Sequence, residues 1–558
     1  MKAGLVSVLW VAQAGSLWGM ADWGPRNEPL QPPPSAGDLY VVSGARLGTG
    51  TREKPFGDIG EAVQAAAGKP GRTVRILVAG GHYRAVNLPL REGVSLWGGF
   101  QAGTWSRDIF QHRTVLDAFG QGRVFGCADG AVVDGVTVRG GRVRGLGGAL
   151  LCEGQSPVLR NNVWEANETL GPEPWKPRFL HEDANDGGAL ACRKGCRAVI
   201  EGNLFYRNRT ENGRGGAVAI TQAAPRLERN VFLENDAGLA DPMRSSDGGA
   251  VSVYDHADPL IRHNAFVSNR ALNKNDGGGL FVALWAAPRI EGNVFVNNYA
   301  DDDAGALFVG GQKHHYDTPF DPMPPASKYQ VLILGNRFSG NRNASFNSGA
   351  FRITMESRVT FANNVVAENS GAYFQRSELT VAHNTFLDAV LLTETKQGLA
   401  APVLVNNIFW KTLRWDVEAR IEANLSRSDL GPANLRGDAA FTPDGAMVMA
   451  RRARYRTAEY VTEIQLEPGL AKGEWVGRPV QAGDQWTVVR EVRPQGFTVW
   501  GNHSRLRSFR IEPSYAIRKE SAAVDRAVEA LGVETDIRGA SRRNGRADVG
   551  AYEWGDQR

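Results

Sequence analysis

The chain contains few cysteine and methionine residues, and its positive and negative charges nearly balance. Its 558 residues include only 4 Cys and 7 Met, and the formal net charge is +4. Because no basic cluster is interleaved with aromatic residues, we predict no nucleic-acid partner. No stretch after the N-terminus is long and apolar enough to cross a bilayer, so we predict no transmembrane segment. Glycine is abundant, at 66 residues, but it follows no three-residue period, which excludes collagen.

The first residues, MKAGLVSVLWVAQAGSLWGMADWG, have the order typical of a secretory signal peptide. Lys2 precedes an apolar run from Ala3 to about Val11, and small residues follow at Ala14 and Ala21. We therefore predict a signal peptide over residues 1–21 and a secreted, periplasmic or cell-surface protein. The alternative is a buried N-terminal helix.

The central part of the chain is a repeat of variable length. Three of its copies are DGGALACRKGCRAVIEGNLFYRN from Asp186, DGGAVSVYDHADPLIRHNAFVSN from Asp247 and DGGGLFVALWAAPRIEGNVFVNN from Asp276. With the second glycine of each copy as reference, the spacing varies from 22 to 44 residues. The spacing never falls below 22 residues but is often longer, which indicates a solenoid coil of fixed size with inserted loops.

When the copies are aligned on the reference glycine, their equivalent positions form columns, and these columns predict which side chains face inward. Positions two and four after the reference glycine are mostly aliphatic, and this alternation is strand periodicity. A further aliphatic column lies three residues before a recurrent asparagine, and an aromatic column lies two residues after it. Each copy therefore predicts three short strands, which stack in parallel at about 4.8 Å.

The recurrent asparagine predicts a ladder at a turn, because asparagine tolerates left-handed backbone and bonds its neighbour on the next coil. The column comprises Asn162, Asn203, Asn230, Asn264, Asn293, Asn336, Asn364, Asn384 and Asn407. A second asparagine follows five residues later in seven copies. The predicted fold is all-β: a solenoid of three-strand coils stacked in parallel, with an asparagine ladder.

These motifs resemble exported bacterial right-handed parallel β-helix proteins of the pectate-lyase-like superfamily. The segments DLYVVSGARLGTGTREKPFGDIGEAVQAA, WGGFQAGTWSRDIFQHRTVLDAFG and DIRGASRRNGRADVGAYEW carry the likeness, which covers roughly residues 38–410 and 505–554. It implies a capping helix at about Ile59–Ala67. We predict a cap with the first coils over 38–110, the β-helix over 111–410, and a C-terminal β-rich region with closing strands over 411–558. Within it, 411–505 lacks the ladder and reads as a β-rich insertion. We expect a monomer.

The four cysteines leave several interpretations open. Cys192 and Cys196 have no second Cys/His pair at zinc-finger spacing, so a local disulfide is favoured over a metal half-site. Cys127 and Cys152 are candidates for a second disulfide. Because Cys152 and Cys192 fall in an inward column, they are alternatively small core residues.

The resemblance implies that a polysaccharide lies along the outer face of the Gly-Gly-Ala strands, flanked by loops at about 168–185, 236–246 and 310–328. Sugars stack on aromatic rings, and arginine pairs with carboxylates or sulfates. The predicted substrate-binding residues are Phe281, Phe308, Phe374, Trp285, Trp175 and Arg376. The alternative is that loops cover these aromatic rings as a small separate core.

An acidic row lies two residues before the reference glycine. Aspartates there accept backbone N–H bonds at the turn, and this is the simplest interpretation. The alternatives are a Ca²⁺ site at Asp247, Asp276 and Asp303, or a carboxylate pair about 9–10 Å apart that serves an inverting glycoside hydrolase.

The loops that border this face are rich in groups suited to β-elimination on a uronic acid. That reaction needs a cation beside the carboxylate, a base for the C5 proton and an acid for the leaving oxygen. The predicted catalytic residues are His181, Tyr254, His256, Lys313, His314, His315 and Arg352. The alternative is that they are polar loop residues without a catalytic role.

Three functions follow from these patterns. The favoured one is a lyase-type enzyme that acts on an acidic polysaccharide. The others are a non-catalytic adhesin or glycan-binding protein, and an inverting hydrolase that uses the acidic row. If His181, Tyr254, His256 and His314 point into one cleft, the enzyme is favoured; if they scatter, the binding protein is.

Overall fold

A computed structural model describes residues 23–68, 73–171, 185–240, 246–311, 323–394, 398–528, 533–542 and 547–554. Within these ranges the chain winds through stacked parallel strands, and each coil contributes strands to the same sheets. We number the sheets 1 to 4 in the order in which a coil passes through them. The parallel β-helix predicted from the repeat is confirmed.

Sheet 1 contains the strands that follow the reference glycine of each copy, and two later strands that follow no such glycine. They are Leu150–Glu153, Leu190–Arg193, Val218–Thr221, Val251–Tyr254, Leu280–Ala283, Leu307–Gly310, Phe351–Thr354, Ala372–Gln375, Val390–Thr393 and Leu413–Trp415. Gly-Gly is required at the preceding turn. A Cβ on Gly188 would lie 2.1 Å from the carbonyl oxygen of Gly216 on the next coil, and Gly187 has a φ of 75°.

Sheet 2 ends at the first asparagine ladder. Its strands are Leu39–Val41, Val74–Ala79, Val94–Phe100, Val132–Asp134, Val158–Arg160, Val199–Glu201, Arg226–Glu228, Leu260–Arg262, Arg289–Glu291, Val331–Leu334, Arg358–Ala362, Glu378–Ala382, Val403–Val405 and Arg420–Glu422.

Sheet 3 follows that ladder. Its strands are Gly81–Arg84, Thr114–Asp117, Val136–Arg139, Val163–Glu165, Leu204–Tyr206, Val231–Leu233, Ala265–Val267, Val294–Val296, Arg337–Ser339, Val365–Ala367, Thr385–Phe386, Ile408–Phe409, Leu425–Ser426 and Leu435–Arg436.

Sheet 4 is formed by short strands that were not predicted. They are Arg142–Arg144, Glu168–Leu170, Arg209–Thr210, Asp236–Ala237, Arg270–Ala271, Tyr299–Ala300 and Arg342–Asn343. A separate pair, Leu88–Pro89 with Phe125–Gly126, lies in the first coils.

Two asparagine ladders hold the turns on either side of sheet 3. In the first, the backbone N–H of Asn264 donates to Oδ1 of Asn293 at 2.8 Å, and the same pattern continues from coil to coil. The second runs from Asn167 to Asn369 and ends on a carboxyl, Asp388. The first ladder continues to Asn424 and Asn434, so the prediction that it is absent after residue 410 is wrong for this part.

The interior is one continuous apolar core with an aromatic stack, as the columns predict. The rings of Phe232, Phe266 and Phe295 are stacked with centroids 4.8 and 4.6 Å apart. The helix Ile59–Ala67 closes one end: Asp58 caps its N-terminus, and Ile59 and Val63 join the core. No helix among the described residues is long and apolar enough to cross a membrane.

The region after the last coil contains an antiparallel sheet that packs on the outside of sheet 3. Its strands are Ala446–Met449, Arg452–Arg456, Val461–Gln465, Pro479–Ala482, Gln485–Arg493, Gly496–Trp500 and Ser508–Ile511, with a 3₁₀ helix at Gly473–Trp475. Trp486 and Trp500 pack against Val231 of sheet 3 in one apolar cluster. A buried ion pair between Arg337 and Glu512, at 2.6 Å, joins the two parts.

Candidate functional site

The outer face of sheet 1 divides into two regions of different character. We call the earlier coils the covered half and the later coils the polar strip. The outward column of the covered half comprises Ala191, Ala219, Ser252, Phe281 and Phe308, all buried. In the polar strip the same column continues with Arg352, Tyr373, Leu391 and Arg414, which are half-buried or exposed.

The aromatic residues of the covered half form a small separate core. Phe281 and Phe308 lie on adjacent coils with ring centroids 5.4 Å apart, but each is only 1% exposed. Tyr254 stacks on Phe281, and the guanidinium of Arg214 lies 4.1 Å from the Tyr254 ring centroid. The prediction that Phe281 and Phe308 are exposed is therefore wrong, and the alternative of a covered cluster is confirmed.

Two further predicted surface aromatics belong to the main core. Phe374 pairs in register with Ile353, so it points inward, and Tyr373 takes the outward position beside Arg352. Trp285 follows Leu284 in a left-handed turn that places its indole in the core, with its ring centroid 5.1 Å from that of Tyr329. The predicted surface positions of Phe374 and Trp285 are wrong.

The polar strip is a hydrogen-bonded network that begins at Arg352. Its guanidinium pairs with Asp303 on one side and donates to Gln375 Oε1 at 2.9 Å on the other. It also lies 5.0 Å from the ring centroid of Tyr373. Thr354 donates to the same Gln375 oxygen at 3.1 Å. Cation, amide and aromatic groups thus alternate on adjacent coils.

The network extends through the next two coils. Gln375 Nε2 donates to Glu394 at 2.9 Å, and the Tyr373 hydroxyl lies 2.8 Å from the Thr393 hydroxyl. Arg376 pairs with Glu394 at 2.5 Å, and both side chains are exposed. On the last coil Arg414 is exposed in the outward column. Trp415 pairs in register with the inward Leu392, so its 39% exposure lies at the end of the coil stack and not on the strip.

Sequence reasoning missed the outward residues Tyr373 and Arg414. The copy that contains Tyr373 is one residue shorter before its strand, so alignment on Gly371 shifts the columns by one. Alignment on the asparagine ladder does not correct the shift, because Arg352 lies 12 residues before Asn364 but Tyr373 lies 11 before Asn384. Arg414 and Trp415 follow no Gly-Gly pair, so the repeat did not reveal their strand.

The described residues do not bring the predicted catalytic groups together. Tyr254 is buried, whereas His256 is exposed after the end of the same strand. Arg352 lies three coils further along sheet 1, about 14 Å away at the usual strand spacing. The other predicted residues, His181, Lys313, His314, His315 and Trp175, lie outside the described residues.

His256 nevertheless forms a supported dyad. Its Nδ1 lies 2.9 Å from Oδ1 of Asp255, and Gln222 Nε2 donates to Oδ2 of the same carboxylate at 2.7 Å. A carboxylate on Nδ1 orients an imidazole and favours the tautomer whose Nε2 accepts a proton. This geometry suits a general base at the border of the covered half.

The acidic row bonds the backbone of neighbouring coils. Oδ1 of Asp247 accepts the N–H of Asp276 at 2.9 Å, and Oδ1 of Asp276 accepts the N–H of Asp303 at 2.9 Å. Asp186 accepts the N–H of Arg214 in the same way, at 2.6 Å. The aspartates accept backbone N–H bonds, as the simplest interpretation predicts. Each donating N–H belongs to the next coil, however, and not to the aspartate's own turn.

The predicted Ca²⁺ ligands are only partly assembled. Carboxylate oxygens of Asp276, Asp302 and Asp303 all lie within 4.8 Å of one another, whereas Asp247 is not in this group. Asp303 pairs with Arg352, and an Asp276 oxygen accepts a backbone N–H. A Ca²⁺ ion would have to displace these partners, so the residues do not fit a dedicated Ca²⁺ site.

A depression on the covered half, lined by Asp186, Ala191 and Arg193 among others, has a volume of about 10 Å³. That volume holds about one water molecule and excludes a sugar ring.

Comparison with known proteins supports the fold. Residues 93–315 match the family described as "Right handed beta helix region". No curated protein sequence matches the chain significantly. Two similar solved structures are a surface adhesin of Streptococcus pneumoniae, PfbA, and a tailspike protein double mutant of E. coli bacteriophage HK620.

The adhesin is 12% identical, with 80% of this chain and 94% of the adhesin covered, at a TM-score of 0.28. The tailspike is 11% identical, with 85% of this chain and 91% of the tailspike covered, at a TM-score of 0.23. The stacked parallel strands, together with the family match over residues 93–315, show that the chain has the right-handed parallel β-helix fold.

Proposed function

We propose that this protein is exported and binds a polysaccharide along the polar strip of sheet 1. The observation that carries this proposal is the change along the outward column, from buried apolar side chains to Arg352, Tyr373 and Arg414. Successive coils repeat at the strand spacing, so the groups form a straight row parallel to the solenoid axis. A linear polymer can contact several of them at once.

The chemistry of the row suits a glycan. Planar amide, carboxylate and guanidinium groups pair with sugar hydroxyls, and the Tyr373 ring offers a face for stacking. The exposed guanidinium groups of Arg376 and Arg414 suit carboxylate or sulfate substituents, because arginine binds such anions in bidentate fashion. An acidic polysaccharide is therefore the favoured ligand class.

Binding without cleavage is the reading that the geometry favours. The charged groups of the strip are held in fixed pairs, such as Arg352 with Asp303. The acidic row is bonded to backbone N–H groups and is mostly buried, which does not support an inverting hydrolase.

The second candidate is a lyase, and the dyad of His256 and Asp255 is the observation that favours it. In that case Nε2 of His256 accepts the C5 proton of a uronic acid, and a nearby cation stabilises the resulting charge. The lyase requires groups that the polar strip does not contain, so the two candidates occupy different parts of sheet 1.

A panel of acidic and neutral polysaccharides tests the proposal. We expect at least one acidic glycan to bind and the Arg376→Ala/Arg414→Ala variant to weaken binding at least tenfold. Arg420→Ala is the matched control, because Arg420 is an exposed arginine on sheet 2 of the same end. Absence of binding across the panel, or equal weakening by the control, would contradict the proposal.

The same panel distinguishes the lyase. Unsaturated sugar products that disappear in a His256→Gln variant, with binding retained, would identify elimination at the dyad. N-terminal sequencing of secreted protein tests export, with processing after Ala21 as the expected result.

A further inference from the structure

All four cysteines of the chain converge in one part of the β-helix core. Cys152 and Cys192 are in-register neighbours on adjacent strands of sheet 1. Cys196 follows the turn after the second of these strands, and Cys127 follows the strand Phe125–Gly126. Cys152, Cys192 and Cys196 are buried, whereas Cys127 is half-buried, and all four are thiols in this structure.

Cys127 and Cys152 are closer than unbonded atoms normally pack. Their Sγ atoms are 2.8 Å apart, well inside the roughly 3.5–4.0 Å typical of heavy atoms in contact. The sulfur atoms of a tetrahedral zinc site, each about 2.3 Å from the metal, lie about 3.8 Å apart. The short separation therefore suits a sulfur–sulfur bond better than two metal ligands.

A compact metal site is also not formed by the four sulfurs. Among the described residues, the group of three or more candidate ligands whose donor atoms all lie within 4.8 Å consists of aspartates, not cysteines. The thiols of Cys152, Cys192 and Cys196 do interact with one another. Hydrogen bonds from the Cys152 and Cys192 thiols lower the pKa of Cys196, which favours its thiolate form.

We propose that the mature protein carries two disulfides in its core, Cys127–Cys152 and Cys192–Cys196. The first joins consecutive coils and closes one full turn of the solenoid. The second closes the turn after Leu190–Arg193, where Lys194 and Gly195 adopt left-handed backbone that returns the chain to the core. Pairing Cys152 with Cys192 instead would leave Cys127 without its 2.8 Å neighbour.

Oxidation needs a disulfide as co-reactant, such as oxidised glutathione. The Cys127 thiolate, half-buried and accessible, attacks one sulfur of that disulfide, which forms a mixed disulfide and releases one thiol. The Cys152 thiol, whose pKa is raised by hydrogen bonds and burial, gives up its proton as it attacks the Cys127 sulfur and displaces the second thiol. For each bridge the protein loses two electrons and two protons, and the co-reactant is reduced to two thiols. Cys192 and Cys196 are buried, so the same exchange reaches them when their turn opens.

A disulfide map of the full chain tests the pairing. After incubation with oxidised glutathione and denaturation in excess N-ethylmaleimide, we expect no alkylated cysteine. Trypsin cleaves after Arg193 and Lys194, between Cys192 and Cys196. A disulfide between these two cysteines therefore appears in the non-reduced digest as two linked peptides. The digest is expected to contain peptide 124–139 linked to 145–160, and peptide 179–193 linked to 195–197.

Two variants sharpen the map. Cys127→Ala is expected to leave one alkylated thiol per chain, on peptide 145–160, and to retain the Cys192–Cys196 link. Cys196→Ala is expected to leave one alkylated thiol per chain, on peptide 179–193. The wild-type map stands whether or not these variants fold.

Three outcomes would overturn the proposal. The first is a Cys152–Cys192 link or another pairing. The second is four alkylated thiols in protein free of metal. The third is stoichiometric zinc with four thiols that become alkylatable after chelation, which would identify a metal site.

Discussion

The covered half and the polar strip belong to the same sheet, yet their outer faces have opposite character. Both halves share the inward columns and an asparagine ladder. In the covered half the outward residue is buried, as at Phe281, whereas in the strip it is a partly solvated Arg352 or Tyr373. The comparison separates positions that build the coil from positions that are free to vary.

The interior cannot vary because each coil packs directly on the next. A stacked ring such as Phe266 contacts both neighbours, and each ladder asparagine bonds a coil on either side. The outward positions carry no such requirement. Function is therefore expected where outward residues are polar and solvated, which is the polar strip.

The largest expected effect concerns Phe281, which should behave as a core residue although it lies on the outer face. Phe281→Ala should lower the free energy of unfolding by about 3–5 kcal/mol, because it leaves a cavity in the separate core. Tyr373→Ala, in the same column of the strip, should cost about 1–2 kcal/mol, since it loses one hydrogen bond and one cation–π contact. Urea denaturation measures both. Equal losses of unfolding free energy in the two variants would contradict the distinction between the covered half and the polar strip.

The next effect concerns Asp388, where the second ladder ends in a carboxyl in place of an asparagine. Burial raises its pKa from 3.8 to about 6. Because the folded protein holds this proton more tightly than the unfolded chain, stability falls as pH rises from about 4 to about 6 and is constant above. Two pKa units correspond to about 3 kcal/mol.

Asp388→Asn should therefore stabilise the protein at pH 7 by up to about 3 kcal/mol and leave its stability at pH 4 unchanged. Thermal unfolding as a function of pH measures this difference. Asp416→Asn is the control, because Asp416 is exposed and should have little effect. Destabilisation by Asp388→Asn at pH 7 would show that the ladder requires the charge.

The smallest of these stability effects concerns the acidic row. Asp276→Asn keeps the oxygen that accepts the Asp303 N–H and should change stability by less than about 1 kcal/mol. Asp276→Ala removes it and should cost about 1–2 kcal/mol. A rise in melting temperature with Ca²⁺ in wild-type protein that is lost in Asp276→Asn would instead establish a cation site.

The sequence allowed the coil to be predicted because inward columns repeat in every copy. The asparagine ladder and the aromatic stack followed from spacing and residue type, whereas the capping helix at Ile59–Ala67 was implied by the resemblance to exported β-helix proteins. Sheet 4 was missed because strands of two or three residues, such as Arg270–Ala271, are too short to show a period.

The candidate site was less predictable for physical reasons. Whether an outward ring such as Phe308 is covered depends on packing from elsewhere in the chain, which the column does not encode. Loss of one residue before Tyr373 reverses which of two neighbours faces outward, because side chains alternate along a strand. The pairing of Arg352 with Asp303 joins residues on different coils and has no local signature.

Side-chain footprinting tests the central claim most directly. Hydroxyl radicals oxidise exposed aromatic rings, and peptide mass spectrometry locates the modification with and without a bound acidic polysaccharide. We predict that the ligand protects Tyr373 and leaves the antiparallel C-terminal sheet, including Tyr455, unchanged. Protection confined to that sheet, or to residues around His256, would contradict the assignment of the polar strip as the binding face.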